Sequence, residues 1–268
     1  MLNLLKLRRK HGHQAIPDLR SAVLMESHRG FPVIDERKFE GDRQTLVNAC
    51  PTGAIRKDPV SVDLGKCIFC GECERMSGGA IRFTNGHKLG ASGRTQLMVT
   101  SSLSYEGFRD CSIRARAEIH RLFGRSLKLR QVSAGGCNGC EMELAACGNV
   151  NFDMGRFGID FVASPRHADG IVLTGPVTRN MAPALMDAYR SISEPKIVIA
   201  VGACAISGGV FGGSDETNRG FLDEVKVDLF VPGCPPHPLT IINAVLDFIG
   251  KKYRVAFWRD GNLSNLFS

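Results

Sequence analysis

The sequence predicts an α/β fold, a doubly wound and mainly parallel sheet, preceded by a smaller cysteine-rich α+β module. Three observations predict it. Between residues 124 and 250, short apolar runs alternate with helix-period segments, the pattern of strands joined by crossover helices. Three of those runs (127–132, 197–201 and 229–231) lead straight into cysteine-bearing loops: Gly135-Gly136-Cys137-Asn138-Gly139-Cys140-Glu141, Gly202-Ala203-Cys204 and Pro232-Gly233-Cys234-Pro235. A separate stretch, 43–90, carries Cys67-Ile68-Phe69-Cys70-Gly71-Glu72-Cys73. In an open α/β sheet, ligands gather in the crevice beyond the carboxyl ends of the strands. Cys137, Cys140, Cys204 and Cys234 therefore read as ligands of one buried inorganic site, with glycines that let the backbone pass close to it.

Composition narrows the function. With 268 residues, 43% hydrophobic content and a mean hydropathy of −0.05, the chain suits one large domain or two modest ones. No run of about 18 apolar residues is present to cross a bilayer. The basic residues 1–11 are not followed by the apolar stretch and cleavage site of a signal peptide. Among ten cysteines, the CxxC and CxxCxxC spacings point to metal, not disulfides, and suit a reducing cytoplasm. The net charge of +7 is uneven: residues 1–130 carry 23 Lys/Arg against 13 Asp/Glu, and residues 131–268 carry 11 against 14. Aromatic content of 7% and the lack of a recognised motif argue against nucleic acid. A basic surface for an acidic partner subunit or an anionic membrane is the better reading.

Residues 1–42 read as an N-terminal extension. The apolar, basic stretch 1–9 suits a membrane surface or a partner, and prolines and scattered charges up to residue 42 suggest irregular chain. His11, His13 and His28 carry no functional signal. In residues 43–90, Cys67, Cys70 and Cys73 have the three-thiolate spacing of a bacterial ferredoxin half-motif. Upstream lies Cys50-Pro51-Thr52-Gly53-Ala54-Ile55, and Gly-Ala-Ile-Arg recurs at 53–56 and 79–82, the mark of an internal duplication. The module resembles a two-cluster ferredoxin. That resemblance implies a pseudo-twofold of short strands and helices, with Cys50 as fourth ligand of a 4Fe–4S cluster. It also implies that the second cluster is gone: no cysteine precedes Cys50, and Met76 and Ser77 stand where another is needed. A structural zinc site is the alternative for these four cysteines.

Residues 91–123 read as a linker, with a hinge at Ala91-Ser92-Gly93-Arg94 and a basic amphipathic helix over 107–123. In that helix Phe108, Ile113, Ile119, Leu122 and Phe123 alternate with Arg109, Arg114, Arg116 and Arg121. Cys111 reads as a small buried hydrophobe. In the larger domain, 124–250, helix is expected over 142–148, strand over 159–163 and 170–174, and helix over 181–191 and 241–249. Cys147 is left over once two four-cysteine sites are counted. The stretch 208–213 lacks GxxxxGK[ST] and so is not a phosphate loop. Residues 251–268 form a C-terminal tail.

Residues 125–250 closely resemble the small iron–sulfur subunit shared by membrane-bound nickel–iron hydrogenases of the formate-hydrogenlyase type and the 20 kDa subunit of respiratory complex I. The match rests on Phe152-Asp153-Met154-Gly155-Arg156-Phe157-Gly158, on Ser164-Pro165-Arg166-His167-Ala168-Asp169, and on Val177-Thr178-Arg179-Asn180-Met181-Ala182-Pro183-Ala184-Leu185, together with 202–209 and 231–236. The complex I subunit has two adjacent cysteines at the first loop. This chain has Cys137-Asn138-Gly139-Cys140, as hydrogenase small subunits do. The resemblance implies a flavodoxin-like domain behind a ferredoxin-like module and a proximal 4Fe–4S cluster on Cys137, Cys140, Cys204 and Cys234. Arg166 and His167 would lie close to that cluster and Glu141 near the subunit boundary, none as a catalytic acid or base. It further implies an electron-transfer subunit of an oxidoreductase complex, peripheral on the cytoplasmic face. The partners would be a large nickel–iron subunit that holds the catalytic metal, other iron–sulfur subunits and integral membrane subunits. Alternatives are a complex I-like quinone or ferredoxin oxidoreductase whose large subunit lacks nickel, and a zinc-stabilised interaction module.

Overall fold

The computed structural model describes residues 15–16, 18–39, 42–113 and 117–251, together with Asn3 and Lys6. The apolar stretch 1–9, Arg114, Arg116 and the tail beyond residue 251 thus lie wholly or largely outside the described residues. The first module runs β1 (Pro32–Ile34), α1 (Arg43–Ala49), β2 (Ile55–Arg56), β3 (Ser61–Asp63), α2 (Glu72–Met76) and β4 (Ile81–Phe83). β1 pairs antiparallel with β4 and β2 with β3, giving the βαββαβ pseudo-twofold of a ferredoxin-like module. The repeated Gly-Ala-Ile-Arg explains the symmetry, since Ile55 opens β2 and Ile81 opens β4. α1 starts where the Asp42 carboxylate accepts from the Gln44 amide, and it stops at Cys50, ahead of Pro51. A further strand, β5 (Met98–Thr100), adds to β3.

The stretch up to residue 42 is more ordered than its composition suggests. Leu19 is fully buried in the core of the larger domain, and Asn243 donates to its carbonyl at 2.9 Å. β1 follows, and its partner lies about fifty positions downstream. A three-residue strand has too short an alternation to read locally; β4 defines it. The expected hinge is also tied down. Ala91 is fully buried and exchanges two backbone hydrogen bonds with Phe230 (2.9 and 2.8 Å), and the Arg94 guanidinium grips both oxygens of Asp63 at 2.8 and 2.7 Å.

The helix expected over 107–123 is two. α3 (Tyr105–Ser112) begins at the Ser104 cap, Ile113 is extended, and α4 (Ala117–Phe123) follows. The Ser112 carbonyl takes the Ser92 amide at 2.7 Å, a tertiary contact where helix would otherwise continue.

The larger domain is a five-stranded parallel sheet in the order β10-β9-β8-β6-β7. Its strands are β6 (Leu127–Ser133), β7 (Ile159–Phe161), β8 (Gly170–Thr174), β9 (Ile197–Val201) and β10 (Leu229–Val231). Its helices are α5 (Gly139–Ala146), α6 (Met181–Arg190), α7 (Ala203–Ser207), α8 (Gly220–Glu224) and α9 (Pro238–Phe248). β8 and β9 are buried at every residue, which is why they read as unbroken apolar runs. This is the doubly wound, flavodoxin-like arrangement the sequence predicts. One hydrophobic cluster on the sheet joins Val132, Ile171 and Val198 to Phe31, Val62 and Leu64 of the first module; a second gathers around α9. Each fully buried Leu or Phe in such a cluster contributes about 1.5–3 kcal/mol over an exposed one.

Candidate metal centres

In the first module, Cys50 follows α1, and Cys67, Cys70 and Cys73 lie on the loop from β3 into α2. Asp63 builds that loop: its carbonyl accepts the Cys67 amide (2.9 Å) and its carboxylate the Gly65 amide (2.9 Å). All four cysteines line one recess of about 380 Å³, with Leu46, Ile55, Val62 and Phe83 as apolar walls. Cys67 is buried and Cys70 is exposed. The Ala54 amide donates to Cys50 Sγ at 3.2 Å and the Phe69 amide to Cys67 Sγ at 3.3 Å. Burial first, then the other thiols, pushes Cys73 up to about 11 and raises Cys67 further.

The pseudo-symmetric position holds a hydroxyl in place of a thiol. Ser77 follows α2 as Cys50 follows α1, is buried, and accepts the Ile81 amide at 2.9 Å. A second recess, lined by Phe39, Asp42, Arg43, Leu46, Met76 and Ser77, lies where the missing half of the duplication would place its ligands, and it contains no cysteine.

In the larger domain, Cys137 lies on the loop after β6, Cys140 in the first turn of α5, Cys204 in α7 directly after β9, and Cys234 directly after β10. All four are thus at the carboxyl edge of the sheet. They act on one another: Cys140 is raised to about 12 by burial, then by Glu141, Cys204, Cys234 and Cys137. Cys204 is raised to about 11 by burial, then by Cys234 and Cys137. Cys234 is raised by burial and then by Cys137. Thiols so placed stay protonated on their own, and a positive metal centre among them would draw off their protons.

The backbone around them fits a bulky group. A Cβ at Gly202 (φ +89°) would stand 2.5 Å from Cys140 Sγ, and one at Gly209 (φ +55°) would stand 2.9 Å from Cys204 Sγ, so only glycine leaves the sulfurs room. Among the described residues no three His, Cys, Asp or Glu side chains gather at single-ion spacing.

Glu141 and Arg219 flank this second set. One oxygen of Glu141 accepts from Ser133 Oγ and Thr174 Oγ1, both at 2.6 Å, which pins the start of α5 to the ends of β6 and β8. Burial works to raise its carboxyl, but these two donors outweigh burial and hold it below the usual range. Arg219 is half-buried against α7, and its charge pulls on Cys204. It comes from a polar loop with no sequence signal. Arg166 and His167 are exposed, on a single turn (Pro165–His167) in the crossover from β7 to β8. Of the two remaining cysteines, Cys147 is fully buried and donates to the Glu143 carbonyl at 3.2 Å. Cys111 is exposed at the end of α3, not a buried hydrophobe, because that helix turns Phe108 and Ser112 inward.

The two cysteine loops open on a common recess of about 570 Å³, lined by Ile68 and Phe69 on one side and Cys234, Pro235 and Pro236 on the other. His28, Arg29 and His237 complete its walls. His28 and His237 stand edge-on at 6.0 Å, and burial lowers the pKa of both.

Residues 137–248 match the family model of the NADH ubiquinone oxidoreductase 20 kDa subunit. A probable membrane-bound hydrogenase subunit of Pyrococcus furiosus is 43% identical over 130 residues, 48% of this chain and 78% of that one. Formate hydrogenlyase subunit 7 of Escherichia coli is 44% identical over 130 residues, 46% of this chain and 48% of that one, so this chain spans about half of that relative. An NADH-quinone oxidoreductase subunit of Geotalea daltonii is 45% identical over 116 residues, 42% of this chain and 68% of that one. With a parallel sheet over the matched region and this agreement over most of the length of two such relatives, the chain belongs to the family of the NADH ubiquinone oxidoreductase 20 kDa subunit.

Proposed function

We propose that this chain is the electron-transfer subunit of a membrane-associated nickel–iron hydrogenase complex. Cys50, Cys67, Cys70 and Cys73 would hold one 4Fe–4S cluster, and Cys137, Cys140, Cys204 and Cys234 a second. Such a cluster supplies a one-electron redox couple. The chain's own residues fix position and potential, and the bond chemistry belongs to a partner. The observation that carries this reading is the recess between the two modules, walled by Ile68 and Phe69 of the first cysteine loop and by Cys234 of the second set.

The residues divide that work. Cys67 is buried in the first module and Cys50 and Cys73 are half-buried, while Cys70 faces outward, so the first set has one buried side and one open side. The amides of Ala54 and Phe69 donate to sulfur, which favours the more negative, reduced state. Glu141 holds the helix that bears Cys140 in register with β6 and β8. The large catalytic subunit would meet the face where Cys137 and Cys234 are exposed. There protons and hydrogen would be interconverted, two electrons per molecule. No helix among the described residues is long and apolar enough to cross a membrane, and we assign the chain a peripheral place on the cytoplasmic face beside integral membrane subunits.

The hydrogenase branch is favoured by Cys137-Asn138-Gly139-Cys140, with two residues between the thiols. The second reading, a complex I-like oxidoreductase without nickel, draws support from the NADH-quinone oxidoreductase relative of Geotalea daltonii. The partner large subunit decides between them: two CxxC pairs there support the hydrogenase, and their absence selects the second reading. Metal analysis of the anaerobically purified chain tests both against a zinc module. About eight iron atoms per chain are expected; zinc without iron would end the electron-transfer reading.

A further inference from the structure

We infer that Arg219 is a positioning residue that raises the redox potential of the centre on Cys137, Cys140, Cys204 and Cys234, by holding a fixed positive charge against the helix that carries Cys204. This rests on the two-cluster reading above and deepens it.

The guanidinium is held by four carbonyls. Nη1 donates to Pro176 at 3.3 Å and to Cys204 at 3.1 Å; Nη2 donates to Ala205 at 2.9 Å and to Ile206 at 3.0 Å. Three of these acceptors are consecutive carbonyls of α7, and a helix of only five residues leaves most of its carbonyls without a partner of its own. Carbonyls fix the place of a cation without cancelling its charge. Among the described residues no carboxylate forms an ion pair with Arg219, and Asp223 acts on it only at longer range. The backbone that delivers Arg219 is tied as well, through Asn218 N to the Val177 carbonyl at 2.7 Å and Arg179 N to the Glu216 carbonyl at 2.9 Å.

Reduction adds one negative charge to a cluster. A fixed cation beside a ligand thiolate stabilises that charge, and a half-buried one is screened less than a surface one. The first set has a cation close by as well, since Arg29 lies over Gly71 and donates to the Phe69 carbonyl at 3.4 Å, but Arg29 is exposed and so is screened more than Arg219. The two centres are therefore tuned unequally.

The test is a redox titration followed by electron paramagnetic resonance on the full chain, purified anaerobically, as wild type, R219Q and R219K. Wild type must first show two 4Fe–4S signals; without them the two-cluster reading itself falls. With both present, R219Q should lower the reduction equilibrium of the larger domain's cluster about tenfold, or about 59 mV for one electron. R219K, which keeps the charge, should stay near wild type, and the first module's cluster should not move in either variant. An unshifted R219Q, or equal shifts in R219Q and R219K, would overturn the inference and leave Arg219 a helix clamp. Should R219Q lose the cluster, R219K decides: a wild-type potential supports the role of charge, and a lowered one refutes it.

Discussion

At the scale of single residues, the sharpest expectation concerns Cys50. It is 17 positions from the nearest member of its set, yet it lines the same recess as Cys67, Cys70 and Cys73. C50A should therefore remove one of two iron–sulfur resonance signals and about half the iron, while the signal from the larger domain persists; retention of both signals would refute the assignment. A second expectation concerns His87, which is buried, with Nε2 unpartnered among the described residues. Burial first, then the charges of Lys88, His237 and His28, lowers its pKa to about 4 from 6.5. A depressed histidine favours the neutral ring in the folded state. Its stabilising contribution is full above the unfolded value and is lost as pH falls from 6.5 through 4, by about 3 kcal/mol in all. Between neutral pH and about pH 5 the thermal midpoint of wild type should fall further than that of H87L; parallel curves would show that another group carries the acid sensitivity. Cysteine spacing is legible in the sequence because ligand chemistry restricts residue type. His87 is not legible, because nothing local announces that a histidine faces inward.

At the scale of elements, the seam between the modules matters most. A Cβ at Gly65, next to the Cys67 loop, would stand 2.8 Å from Ile206 Cγ2 and 2.9 Å from Arg94 Cζ. The loop of the first cysteine set therefore rests directly on the helix that carries Cys204. G65V should push the two apart, weakening the magnetic coupling between the reduced centres while iron content stays unchanged. Coupling of wild-type strength would mean that another contact sets the spacing. Strands that end in cysteine loops are plain in the sequence, since β9 and β10 are apolar runs, β6 alternates apolar and polar residues, and a glycine follows each within two residues. The break between α3 and α4 is not plain, because the amphipathic period runs on through Ile113 while a distant amide, that of Ser92, takes the Ser112 carbonyl. β1 is hidden for a similar reason: three residues become a strand only when β4 lies alongside.

At the scale of the whole molecule, the first module and the sheet share one apolar cluster, and the Asp63–Arg94 ion pair lies at their junction, with the Asp63 side chain 6% exposed. R94A leaves that carboxylate buried without its partner, which costs about 3 kcal/mol. Because the core is continuous, wild type and R94A should each unfold in a single calorimetric transition, R94A at lower temperature. Two separated transitions would show modules that fold independently. The chain by itself determined the CxxC and CxxCxxC spacings, the parallel sheet and the internal duplication, because ligand spacing, strand periodicity and repeated tetrapeptides are all written over short spans. Only the tertiary structure decided that Ala91–Arg94 is a clamp, that residues 18–34 belong to both cores, and that Arg219 lies against Cys204. Each of those depends on contacts between segments far apart in sequence, where burial and a single well-placed partner outweigh local preference.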